Sequence, residues 1–181
     1  MEATTREFKS NAFAARRNPQ LQSALAKLGV GFPLKRLEAA ARLPEFEDLR
    51  DRARAIKDHV LDNLDYYLER FEERVTEQGG SVHWCADAEA ARAKILEICK
   101  AAGASTVTKS KSMIGEEIAI NDYLEANGVE PVETDLGEYI IQLRHEPPSH
   151  IIAPAIHLTM DQVEETFRAA HTELEPGRPL D

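Results

Sequence analysis

A chain of 181 residues, 43% hydrophobic and 30% charged, is long enough to form one sizeable core, or a smaller core carrying a helical arm. Its net charge of −10 argues against a nucleic-acid partner, since a phosphate backbone needs a concentrated basic face and Arg16 with Arg17 do not make one. No run approaches the roughly 20 apolar residues of a membrane span, and the opening MEATTREFKSNAFAARR lacks the apolar centre of a signal peptide, so a cytoplasmic address is expected.

Residues 1–78 contain no convincing strand and read as an N-terminal helical arm. Two short helices are expected at 21–28 and 34–43, separated by Gly29, Gly31 and Pro33. One long amphipathic helix is expected over 51–77, where Ile56, Val60, Leu64, Tyr67, Phe71 and Val75 recur at steps of three and four. Its opposite face carries Asp58, Asp62, Asp65, Glu69, Glu72 and Glu73, either a solvated surface or a docking face for a basic partner. Gly79 and Gly80 end it.

Residues 79–181 alternate between strand and helix patterns, and form the first part of an α/β domain. Strands are expected at 81–85, 105–108, 129–133 and 151–155. Asp87 stands at the N-cap of a helix over 88–102 with Ala91, Ile95, Ile98 and Cys99 inward, and Gly103 ends it. A second helix from about Ile114 carries Ile118 and Leu124 before Asn127 and Gly128. Asp135 and Glu138 have capping-box spacing and favour a helix through Gln142, although EYIIQL alone reads equally as a strand. Thr159 and Gln162 form another capping box ahead of a helix with Val163 and Phe167. Four βα units imply a Rossmann-like, mostly parallel sheet.

In such sheets ligands lie beyond the carboxyl ends of strands. Lys109, Ser110, Lys111 and Ser112 lead into a helix N-terminus, so they either hold a small carboxylate or phosphate, or form a hydrophilic loop in which Ser112 only caps. Glu133, Asp135 and Glu138 gather carboxylates as acid–base or metal chemistry would need, but capping accounts for the last two and leaves Glu133 as the candidate. His157 follows the fourth strand as a candidate base or ligand, with His150 at that strand's other end. GxGxxG, GxxxxGK[ST] and GxSxG motifs are absent. Cys85 and Cys99 lack CxxC spacing, so no metal or cluster is expected within this chain.

The segment KSKSMIGEEIAINDYLEANGVEPVETDLGEYIIQL, followed by PPSHIIAPAIH, closely resembles the amino-terminal part of the lactate utilisation protein B family. LRDRARAIKDHVLDNLDYYLERFEERVTEQGGSVHWCAD fits the same family, so the resemblance covers most of residues 45–160. It implies a lactate-utilisation (LUD) domain related in fold to sugar-phosphate isomerases and CoA transferases, in a cytoplasmic iron–sulphur subunit that acts with two other lactate-utilisation subunits to oxidise L-lactate to pyruvate. Members carry two [4Fe-4S] clusters in a ferredoxin-like region that this sequence lacks, so the chain reads as apparently truncated, with self-association expected from uncovered apolar faces. An isomerase or CoA-transferase-like activity, suggested by fold analogy, and a purely structural docking module stand as alternatives.

Overall fold

The computed structural model describes residues 5–149 and 151–174. By compactness the chain divides into two units, one of residues 1–27 with 86–181 and the other of residues 28–85.

Helices fill the chain up to Glu77. Helix α1 spans Phe8–Arg17 and α2 spans Pro19–Ala41. α2 is one continuous helix, where two helices broken at Gly29 to Pro33 were expected. Pro33 forfeits only the bond its missing N–H would have made, and the Leu, Ala and Lys residues on both sides carry the helix through it. The reverse correction applies to the expected long helix over 51–77, which is two helices, α3 at Phe46–Asp62 and α4 at Leu64–Glu77. The cause is Asn63. Its side-chain amide donates to the His59 carbonyl at 2.8 Å, the acceptor its own backbone N–H would have used, and that N–H turns to Val60 O at 3.3 Å.

The expected first strand, 81–85, is not one. These residues lie in the helical unit and fold back on α4: Gly80 N–H donates to Val75 O at 2.9 Å and Trp84 Nε1 to Glu72 Oε2 at 2.9 Å. No strand edge is offered to them there, so their alternation has nothing to pair with.

The sheet-bearing unit begins its ordered alternation at Asp87, which caps α5 (Ala88–Ala101) by accepting from Ala90 N–H at 2.8 Å. Strand β1 (Thr106–Lys109) and strand β2 (Glu130–Glu133) pair in parallel, with Thr106 opposite Glu130 and Lys109 opposite Glu133. Between them lie α6 (Met113–Glu117) and α7 (Ile120–Ala126). The single helix expected from Ile114 is interrupted at Ala119, which sits in the left-handed region at φ 51°. The Ile118 carbonyl freed by that break is taken by Arg92 of α5 at 2.9 Å, so the interruption is held by a neighbouring helix. Asn127 and Gly128, at φ +78°, turn the chain into β2.

After β2, EYIIQL is helical in α8 (Leu136–Arg144), and α9 (Met160–Ala170) starts with the full Thr159–Gln162 capping box. The expected fourth strand, 151–155, is replaced by turns: Ser149 N–H donates to Pro154 O at 3.0 Å, Ile156 N–H to Ala153 O at 3.2 Å, and Pro154 is fully buried. The fold is α/β with parallel pairing, and among the described residues the sheet has two strands rather than four.

Two features support the two-stranded sheet. The core packs Leu96 and Cys99 of α5 against Ile120 and Leu124 of α7 and Val129, with Ile95, Val107 and Ile118 around them. Ile98, expected inward, is half exposed, because the buried face of α5 turns on Leu96 and Cys99. The outer edge of β2 is closed by a side chain: Gln142 Oε1 accepts from Glu133 N–H at 3.0 Å and its Nε2 donates to Pro131 O at 2.6 Å. That amide does for β2 what a neighbouring strand's peptide would do.

Candidate functional site

The register puts Lys109 and Glu133 opposite each other at the carboxyl ends of β1 and β2, and their side chains form a buried ion pair. Glu133 is 4% exposed. Lys109 also faces Glu116 of α6 at 3.6 Å, and Asn121 of α7 donates its side-chain amide to Glu133 Oε1 at 3.0 Å. Beside them Glu138, in the first turn of α8, is equally buried. Asp135 caps α8 by accepting from Glu138 N–H at 3.2 Å, but the expected return bond from the Glu138 carboxylate is absent among the described residues, and that side chain lines a cleft instead.

The cleft has a volume of about 370 Å³ and lies among α6, α7, β2 and α8. Six acids line it, Glu116, Asp122, Glu125, Glu133, Glu138 and Glu146, and no lysine or arginine is among its lining residues. Burial, then repulsion from Glu116 and Glu133, pushes the Glu138 carboxyl up. The left-handed Ala119 lies on the same wall, a backbone strain of about 1 kcal/mol kept where the chain bends around the cleft.

Beyond Lys109, the loop through Ser112 makes different contacts from the cleft. Lys111 donates to Ile152 O at 3.1 Å and pairs with Asp135 at 3.4 Å. Ser112 caps α6, accepting from Gly115 N–H at 3.0 Å, while Ser110 is exposed. Glu138 N–H above all, then the Lys111 ammonium, holds the Asp135 carboxyl below its ordinary value against the opposing effect of burial. Both lysines of the loop thus face carboxylates of the protein itself.

His157 sits in a turn and not beyond a strand end, and His150 lies outside the described residues. The His157 Nδ1 is 2.8 Å from Ser149 Oγ and its Nε2 is 3.1 Å from Glu146 Oε2. Arg144 continues the chain of contacts, bonding Glu146 at 2.8 Å and Thr166 Oγ1 at 3.1 Å. Burial raises the Glu146 carboxyl, but the hydrogen bonds with Arg144 and His157 outweigh it and leave it lowered. Glu116, Asn121, Gln142 and Glu146 carry no spacing signal in the sequence. Glu116 and Asn121 reach the cleft from either side of the break at Ala119, and Gln142 and Glu146 from α8 and the left-handed turn at His145 that ends it.

Among the described residues no group of three histidine, cysteine, aspartate or glutamate side chains is placed to hold a metal ion. An iron–sulphur cluster does not fit this chain's cysteines: Cys99 is packed in the core against Leu96 and Leu124, and Cys85 stands exposed in the other unit. No helix among the described residues is long and apolar enough to cross a membrane.

A parallel strand pair covered by helices, with polar side chains converging beyond the strand ends, defines an α/β domain. Residues 68–177 match the LUD domain family, and the chain belongs to that family. It is 42% identical over 169 residues to lactate utilization protein B of Bacillus licheniformis, covering 93% of this chain and 35% of that protein. Lactate utilization protein B of Bacillus subtilis (strain 168) is 39% identical over 178 residues, covering 96% of this chain and 37% of the relative. A protein of Escherichia coli (strain K12) named uncharacterized electron transport protein YkgF is 38% identical over 167 residues, covering 92% and 35%. The chain therefore spans little more than a third of the length of these curated relatives. No solved structure matches it.

Proposed function

We propose that this chain is the amino-terminal portion of a cytoplasmic iron–sulphur electron-transfer subunit that takes part in oxidising L-lactate to pyruvate alongside two other subunits. The observation that carries the reading is the similarity, at 38–42% identity over more than nine tenths of the chain, to proteins named for lactate utilization and for electron transport. The two [4Fe-4S] clusters of the reading would require cysteines other than Cys85 and Cys99, so no electron-transfer step is assigned to these residues.

Within that reading the LUD-domain portion serves as a rigid support that docks partner subunits, rather than as the lactate site. A small carboxylate at residues 109–112 would have to displace Asp135 from Lys111, and Glu133 and Glu116 from Lys109. The cleft beside it repels anions through its six acids.

The test is genetic. Deleting the reading frame that contains this chain should abolish growth on L-lactate as sole carbon source while growth on pyruvate persists, and the full frame supplied in trans should restore it. Undiminished growth on L-lactate would overturn the proposal.

A further inference from the structure

We propose that the acidic cleft binds an organic cation bearing N–H donors, an ammonium or guanidinium group, seated between Glu133, Glu138 and Asn121. The proposal is independent of the lactate reading.

It begins from hydrogen-bond accounting. Glu133 Oε1 is satisfied by Lys109 and by the Asn121 amide nitrogen, but Glu133 Oε2 is buried with no partner. The orientation of the Asn121 amide is fixed by this contact, since a carboxylate accepts only from the NH₂ end. Its other end, Asn121 Oδ1, is therefore an acceptor, and it too is buried without a partner. The Glu138 carboxylate, on a residue 4% exposed, has no hydrogen bond or ion pair among the described residues. All three residues line the cleft, and every unfilled position is an acceptor.

Charge points the same way. Glu116 and Glu133 both repel Glu138; of the two nearby ammoniums, Lys109 is engaged with Glu116 and Glu133, and Lys111, which attracts Glu138 less strongly than either acid repels it, is paired with Asp135. Buried carboxylates are kept only where a positive group or a set of donors compensates them. A divalent metal would need three or more suitably placed ligands, an arrangement not found among the described residues, whereas an ammonium or guanidinium carries several N–H donors that match scattered acceptors. A cavity of about 370 Å³ accommodates such a head group with a short aliphatic stem. The head group belongs either to a free amine or to a lysine or arginine side chain of another polypeptide segment.

The purified full chain is titrated calorimetrically with agmatine, with the capped tripeptide acetyl-Gly-Lys-Gly-amide, and with L-lactate. At least one of the two cationic probes should bind saturably at one site, and Glu138→Gln and Asn121→Ala should each weaken it about tenfold while circular dichroism stays unchanged. Preference for agmatine identifies a free amine as the occupant, and preference for the tripeptide identifies a protein side chain. Absence of saturable binding by both cations, or binding that neither substitution alters, overturns the proposal. So does saturable binding of L-lactate lost in the same variants.

Discussion

Glu138 is where stability and ligand binding pull in opposite directions. Burial, then the charges of Glu116 and Glu133, raises its pKa in the folded chain, so ionising it costs more there than in the unfolded chain. A group with a raised folded pKa contributes its full stability below the unfolded value and loses it as pH rises through the folded value. Once the pH has risen through the folded value the ionised Glu138 is a burden, and there Glu138→Gln should stabilise the chain by on the order of 1 kcal/mol, or about 2–4 °C in melting temperature. The gain should shrink as the pH falls toward and below the ordinary carboxylate range, where both side chains are neutral. Melting curves of the two proteins across acid to neutral pH check this. A constant difference, or a less stable variant at neutral pH, would show that the Glu138 charge is compensated within the fold.

At the scale of elements, caps were legible and interruptions were not. Asp87, Asp135 and Thr159 each accept from a backbone N–H at the helix start that their spacing marks. Asp135→Ala should cost about 1 kcal/mol at neutral pH. Because the Asp135 pKa is lowered in the folded state, its contribution is present above the unfolded value and fades as the pH falls through the folded value. The wild-type and Asp135→Ala melting temperatures should thus converge in strong acid, and a gap that persists there would assign the loss to packing rather than to the capping carboxylate. The parallel strands β1 and β2 were also legible, since each is a short run with β-branched residues between turn signals. The strands expected at 81–85 and 151–155 were not real, because a strand needs a partner. Trp84 is tied to α4, and buried Pro154 organises turns instead. Local periodicity also gave no hint of Asn63 or Ala119, where a side-chain amide and a distant arginine decide that a helix breaks. The cleft was half legible for the same reason. Glu133 stands at a strand end and draws notice, while Glu116 and Asn121 reach it across the break at Ala119 and Gln142 from α8.

At the scale of the whole molecule, the balance lies between exposed apolar surface and like charge. In the sheet-bearing unit Leu136, Ile151, Ile152 and Met160 are largely exposed, and β1 pairs only with β2 among the described residues. The helical unit exposes Phe32, Ile56, Leu61 and Phe71. Apolar surface of this extent is a source of association in water, and an unpaired strand edge is a template for it. A net charge of −10 opposes contact between copies, through a repulsion that salt screens over about 10 Å at 0.1 M. Self-association of the isolated chain should therefore strengthen with concentration and also with added salt, the opposite of what ion-paired contacts would show. Light scattering coupled to size exclusion at low and high ionic strength distinguishes these cases. A mass that stays monomeric at high concentration and high salt would mean that the exposed side chains are too dispersed to act as one surface, whereas association that salt dissolves would place the contact on the acidic faces of α3 and α4 meeting basic residues of another copy.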